Sequence, residues 1–279
     1  MINNFLNYRI KQTLDITDYM STLQSVQINP SEMCNRTCVF CPRNDPKIYK
    51  NHKKYISVDT CIEIGKQLSD FDFKGRIGFV GFGEPLLNEN IVSCVAAIRK
   101  HCNTAQWIEI NTNGDFLTRD LIIKLYNAGC TNIAISMYDK DESIKFNEMF
   151  SKIKIEYVLR HHYDVSKNYN LNLVNRIGIL NQEIEENNNS CYIPFYKMFI
   201  DWNGDYLLCE QDWGRVTKKY NINEINISNF WIDKLERYRT NLINNNRKNQ
   251  TPCNSCNING ILFGQESFKY IKNHMKKCI

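Results

Sequence analysis

The amino-acid sequence predicts an α/β fold: a partial (β/α) barrel over residues 1–180, then a small domain over residues 181–279 built on a β-hairpin and a helix. Three observations predict it. Short β-branched and apolar runs alternate with helix-period segments through the first 160 residues, the order that gives a parallel sheet wrapped by helices. The chemically distinctive motifs fall just after those runs, where barrels of this kind carry functional loops. After Arg160 the alternation fades, and Asn203-Gly204 supplies a strong hairpin turn signal.

The elements follow in order. Ser25-Val26-Gln27-Ile28 reads as a strand leading into a cysteine-bearing loop. Ser57 is suited to cap a helix that runs through Ile64 to Leu68. Residues 76–81 form the second strand, with a helix over 91–98; residues 107–110 form the third, with a helix over 117–125 ending near Gly129. A strand over 131–137, a helix over 142–150 and a strand over 154–159 complete five clear strands, with a sixth possible. Residues 161–190 are polar around one apolar run, 171–180. Strands over 196–201 and 206–209 flank the hairpin turn, and helices over 230–242 and near 265–276 follow.

At 279 residues, 43% apolar and 12% aromatic, the chain can bury one large core and a small appendage. Its charge of +5 is dispersed. The denser basic stretches, 47–54 and 274–277, are not interleaved like a nucleic-acid arm, so no nucleic-acid partner is expected. The Asn-rich segments 185–189 and 241–249 read as polar loops or helix ends. No run approaches the roughly 18 apolar residues of a membrane span. The start Met1-Ile2-Asn3-Asn4 shows no charged-then-apolar signal region, and a chain this long needs no disulfide staples. A reducing, cytoplasmic setting is expected.

Seven of the twelve cysteines fall into two spacing patterns. Cys34, Cys38 and Cys41 make a C-x3-C-x2-C run, a spacing that chance produces roughly 0.02 times in such a chain. Three thiolates on one loop can hold three irons of a [4Fe–4S] cubane and leave the fourth open; Cys191, Cys209, Cys253 and Cys256 can close a second cluster completely. A zinc knuckle is the plainer alternative, but zinc usually takes four ligands, and the first run offers three with no His nearby. Cys61, Cys94 and Cys130 read as buried structural cysteines; Cys102 and Cys278 are open. His161-His162 has no third ligand nearby and reads as a solvated loop.

On these residues the chain resembles the radical S-adenosylmethionine enzymes with a C-terminal twitch or half-SPASM domain. The family's C-x3-C-x-aromatic-C loop is matched by Cys34, Cys38, Phe40 and Cys41, and its Gly-Gly-Glu-Pro motif at Gly83, Glu84 and Pro85. Phe82 replaces the first glycine, although Gly81 stands one residue earlier. The spacing of the C-terminal cysteines is close to that of the 2-deoxy-scyllo-inosamine dehydrogenase type. The resemblance implies that the open iron binds S-adenosyl-L-methionine and that one electron cleaves it to a 5′-deoxyadenosyl radical. It implies two [4Fe–4S] clusters and a reducing partner such as flavodoxin or ferredoxin.

Glu84 is suited to accept hydrogen bonds from the cofactor's cationic amine, although an ordinary turn also explains Gly83-Glu84-Pro85. Phe40 would cover the cluster, with simple packing as its plainer role. Asn111 and Asn113 stand where the family commonly contacts the cofactor, and Asn113-Gly114 is equally a turn former. Ser136 resembles a ribose or carboxylate contact. Arg160 is the candidate for the cofactor carboxylate or a substrate oxygen, and Arg176 for the substrate chamber. The expected function is oxidation of a secondary alcohol on a sugar, cyclitol or derivative, with the second cluster accepting an electron. An epimerase would return hydrogen from a thiol, Cys278 or Cys102. A peptide-modifying maturase is disfavoured because 33 residues precede Cys34, few for a peptide-binding domain. A metal-clamped binding module leaves Gly83-Glu84-Pro85 unexplained.

Overall fold

Alternation sorts each strand into two faces, and the computed structural model of the chain shows what each face meets. It describes residues 17–139, 141–162, 175–180, 190–258 and 260. Strands β1 (Ser25–Ile28), β2 (Arg76–Phe79), β3 (Trp107–Thr112), β4 (Asn132–Met137), β5 (Glu156–His161) and β6 (Lys197–Ile200) lie parallel in the order β5-β4-β3-β2-β1-β6. β7 (Tyr206–Leu207) closes one edge antiparallel to β6. Val26, Ile28, Ile77, Phe79, Ile108, Ile110, Ile133 and Ile135 occupy one face and are wholly buried. Helices α1 (Val58–Ser69), α2 (Ile91–His101), α3 (Arg119–Asn127) and α4 (Glu142–Phe150) contribute Ile64, Leu68, Val95, Ile98, Ile122, Leu125 and Phe146 to the same core.

The opposite face is largely polar over β1–β5 and turns apolar at Phe199 of β6. Gln27, Gly78, Glu109, Asn111, Asn132, Ser136 and Arg160 fall on it by alternation and register. A buried carboxylate needs partners, and Glu109 has them. It pairs with Arg76 and accepts Asn111 Nδ2 at 2.9 Å and Asn132 Nδ2 at 2.7 Å. This face can therefore stay polar without unfolding the sheet.

Local signals set most boundaries. Ser57 Oγ accepts from Thr60 N at 3.0 Å and starts α1 as expected. Thr118 Oγ1 accepts from Leu121 N at 3.2 Å, so α3 begins at Arg119, two residues after the expected start. Cys61, Cys94 and Cys130 are buried as expected, and so is Cys102. Cys278, the helix near 265–276 and residues 171–174 of the apolar run lie outside the described residues.

Three expectations change. β5 runs later than expected, so His161 is a strand residue. The Asn203-Gly204 turn joins β6 to β7, but β6 also pairs in parallel with β1, from Ser25 with Lys197 to Ile28 with Ile200. The first hairpin strand is thus the sixth strand of the main sheet. Met198, Phe199 and Ile200 are all buried, as an interior strand requires and an exposed hairpin does not. The helix expected over 230–242 is broken: the turn Ile227–Asn229 widens into a π segment over Phe230–Lys234 before α5 (Glu236–Ile243). Buried Trp231 occupies that bulge, donating Nε1 to Thr22 Oγ1 at 3.0 Å while its carbonyl accepts from Arg239.

Candidate active site

Because six strands run parallel, their C-terminal ends share one edge, and the loops that follow meet there. The loop after β1 carries Cys34, Cys38 and Cys41, all partly buried and none in a disulfide. Asn51 fixes its start: Cys34 N donates to Asn51 Oδ1 at 3.0 Å, and Asn51 Nδ2 donates to Cys34 O at 3.1 Å. Arg43 fixes its end, donating Nη1 to Asn51 Oδ1 at 2.7 Å and Nε to Phe82 O at 2.5 Å. Burial pushes all three thiols up, Cys34 to about 11; backbone N–H groups of Arg36 and Arg43 pull Cys34 and Cys41 the other way. Amides directed at sulfur suit a coordinated thiolate, since metal binding deprotonates a thiol that burial alone would keep neutral.

The turn after β2 docks on that loop. A Cβ on Gly83 would lie 2.2 Å from Ser31 O, and one on Gly81 would lie 2.4 Å from Asn29 Oδ1. Glu84 N donates to Met33 O at 2.7 Å, and Pro85 opens the short turn Pro85–Leu87. The Glu84 carboxylate is buried and accepts from Leu86 N at 3.0 Å, Thr112 Oγ1 at 2.6 Å and Asn113 N at 2.8 Å. Burial pushes it up to about 7 despite these donors. Phe82, at the departure from the family motif, turns its ring away into a cluster with Phe199, Leu207 and Trp213.

Asn113 ties the turn to the cysteine loop, donating Nδ2 to Asn35 Oδ1 at 2.8 Å, with Cys34 Sγ 4.0 Å away. Asp115 accepts from Asn35 Nδ2 at 2.6 Å and pairs with Arg36, whose guanidinium lies 4.7 Å from the Tyr138 ring centroid. Asn111 instead turns toward Glu109. Ser136 and Arg160 face each other in the β4–β5 register, with Ile135 and Met137 buried on the opposite face.

Phe40 joins a stack that sequence reading missed. Its ring centroid is 6.2 Å from Tyr138 and 6.1 Å from His162, and Tyr138 hydrogen-bonds the Cys38 thiol. His162 is therefore part of the site wall, not a solvated loop; burial, then the Arg160 charge, pushes its imidazole down to about 4. The available signal was an aromatic residue one position past the end of a strand.

The second cysteine set assembles beside the first. Cys191, Cys253 and Cys256 are buried and Cys209 is partly buried. Asn175 clamps the 253–256 turn, donating Nδ2 to Ser255 O at 2.8 Å and its backbone N to Asn257 Oδ1 at 2.8 Å. Arg176 follows with φ 51°, a left-handed conformation, and donates Nη1 to Gln211 Oε1 at 2.7 Å. It interacts electrostatically with Cys41 of the first set, then with Glu210 and with Cys256 of the second. Glu32, paired with Arg215, anchors the C-terminal segment under the first loop; Arg215 Nε also donates to Asp201 Oδ2 at 2.5 Å.

Among the described residues no three His, Cys, Asp or Glu side chains close around a single ion. A cubane is held at separate corners, so its thiolates need not converge. Arg43, Arg176 and Arg247, near the two sets, each carry a buried guanidinium nitrogen without a hydrogen-bond partner among the described residues. Such cations fit anionic clusters held by thiolates. Among the described residues no helix is long and apolar enough to cross a membrane.

Two family models match: the radical SAM superfamily over residues 28–189 and the SPASM iron–sulfur cluster-binding domain over 191–257. The chain is 29% identical over 263 residues to the S-adenosyl-L-methionine-dependent 2-deoxy-scyllo-inosamine dehydrogenase of Niallia circulans, covering 88% of this chain and 97% of that one. It is 26% identical over 131 residues to a GTP 3′,8-cyclase of Clostridium perfringens, covering 47% of this chain and 39% of that one. The crystal structure of BtrN in complex with AdoMet and 2-DOIA matches with a TM-score of 0.72 at 28% identity, over 85% of this chain and 94% of that one. With a superfamily model matching more than half its length, the chain belongs to the radical SAM superfamily.

Proposed function

We propose that the chain oxidises a secondary alcohol of a cyclitol or related sugar derivative to a ketone. The observation that carries this is Arg176, half-buried, with its Nε buried and unpartnered among the described residues and its charge felt by Cys41, Glu210 and Cys256. A cationic donor coupled to both cysteine sets is suited to hold an alcohol there. The similarity to a dehydrogenase of an aminocyclitol supports the substrate class.

When bound, S-adenosylmethionine on the Cys34–Cys38–Cys41 cluster supplies a hydrogen-abstracting 5′-deoxyadenosyl radical, and the second cluster supplies an electron acceptor. Glu84 would receive the cofactor's amine, its carboxylate held in place by Leu86 N, Thr112 Oγ1 and Asn113 N. Phe40, with Tyr138 and His162, walls the cofactor side and limits water. Gly81, Gly83 and Pro85 shape the turn; Asn111 and Ser136 line the polar face. Arg160 and Arg176 lower the cost of alkoxide character as the hydroxyl proton leaves to solvent. With both groups bound, the substrate would give up one hydrogen atom to the radical, one proton to water past Arg160 and Arg176, and one electron to the second cluster.

The epimerase reading needs a thiol donor. Cys102 is wholly buried beside Phe73 O at 3.8 Å, in the helix-covered core rather than on the loop rim. The two family matches meet at residues 189 and 191, about ten residues beyond the division expected at 180. A cytoplasmic setting and a flavodoxin- or ferredoxin-type donor complete the reading. Arg176→Ala should abolish ketone formation while keeping full iron content; ketone formation at the wild-type rate would contradict the assignment.

A further inference from the structure

Arg247 lies in the Asn-rich stretch that reads as a polar loop, yet its side chain is only 1% exposed. It opens the short turn Arg247–Asn249. Nη1 donates to Ile258 O at 2.8 Å and to Cys256 O at 3.5 Å. Nε and Nη2 are buried without a hydrogen-bond partner among the described residues. What faces this guanidinium is sulfur. The Cys191 thiol lies against it, and its charge opposes the burial that pushes Cys191, Cys253 and Cys256 up. Of the other cations near this set, Lys197 donates to Glu210 Oε1 at 2.8 Å, and Arg176, which also feels Cys256, donates Nη1 to Gln211.

A buried cation with no anion beside it is strongly destabilising. A cluster held by four thiolates supplies that anion, and it becomes more negative by one charge on reduction. A fixed positive charge and hydrogen bonds to sulfur therefore stabilise the reduced form more than the oxidised form. We infer that Arg247 is the counter-ion and sulfur-directed donor of the auxiliary cluster, raising its reduction potential so that it can take the substrate's electron. The inference rests on Cys191, Cys209, Cys253 and Cys256 being that cluster's ligands. Arg247 acts through the cluster, as a tuning residue.

The test uses the full chain carrying Cys34→Ala, Cys38→Ala and Cys41→Ala, so that only the auxiliary cluster remains, with its midpoint read by EPR-monitored redox titration. Arg247→Met should shift the equilibrium at least tenfold toward the oxidised cluster, 59 mV for one electron, while Arg247→Lys stays within about threefold of the parent. A parent that holds no four-iron cluster shows that the ligand set itself is wrong, and the inference falls with it. An intact cluster with an unchanged midpoint in Arg247→Met overturns the inference and leaves the ligand set standing. If Arg247→Met loses iron, the parent with Arg176→Lys decides, labelled with 15N at arginine only. A 15N coupling to the reduced cluster in pulsed EPR supports the contact, and its absence overturns it.

Discussion

The backbone amide of Asn113 donates to Glu84 Oε2 at 2.8 Å, so the loop after β3 holds the carboxylate presented by the loop after β2. Asn113 also reaches the cysteine loop through Asn35. One residue thus couples the turn that would receive the cofactor's amine to the loop that would hold its cluster.

The clearest consequence concerns Glu84. Glu84→Gln should weaken S-adenosylmethionine binding by about 1.5–3 kcal/mol, the scale of one charged hydrogen bond. The pH dependence has a definite sign. Burial holds the unliganded carboxyl near 7, so below that pH it is protonated and cannot receive a cation. Binding must then expel one proton, and affinity should fall up to tenfold per pH unit below about 7 and level off above it. Isothermal titration calorimetry at several pH values checks this; a slope retained in Glu84→Gln would assign it to another group.

The division of seven cysteines into three and four predicts about eight irons per chain after anaerobic reconstitution. Alanine at Cys34, Cys38 and Cys41 should leave about four, and alanine at the other set should do the same. Zinc at the second set, detected by elemental analysis of protein purified anaerobically, would remove the electron acceptor from the account.

Phe82 tests the departure from the family motif. Its ring is buried with Phe199 and Trp213, at centroid distances of 5.0 and 4.7 Å. Phe82→Ala should cost about 3–5 kcal/mol of stability in denaturant unfolding. Cofactor affinity should stay within a few-fold, because the ring packs with Phe199, Leu207 and Trp213 and is not among the partners of the Glu84 carboxylate. A large loss of affinity in folded protein would place Phe82 in the cofactor site.

Much of this arrangement is legible in the sequence because it is locally encoded. β1 and α4 fall where alternation and helix period place them, and the C-x3-C-x2-C loop needs no tertiary information. The remainder depends on contacts distant in sequence. β6 looks like half of a hairpin until it pairs with β1, more than 160 residues earlier. His162 looks solvated until Phe40 and Tyr138 stack on it. Arg247 sits among asparagines, and its burial comes from packing beside cysteines on either side of it in the chain. Propensity cannot register such contacts, and they are where the site is completed.

The central claim is that the chain removes a carbon-bound hydrogen and keeps none of it. The most direct measurement incubates reconstituted protein, S-adenosylmethionine and dithionite with ring-deuterated inositols and 2-deoxy-scyllo-inosamine, followed by mass spectrometry of 5′-deoxyadenosine and of the cyclitol. The account predicts one deuterium in 5′-deoxyadenosine, a ketone that has lost one ring deuterium and one hydroxyl proton, and one S-adenosylmethionine consumed per product. A product that stays at the alcohol oxidation level and gains hydrogen from solvent at the reacting carbon would contradict it.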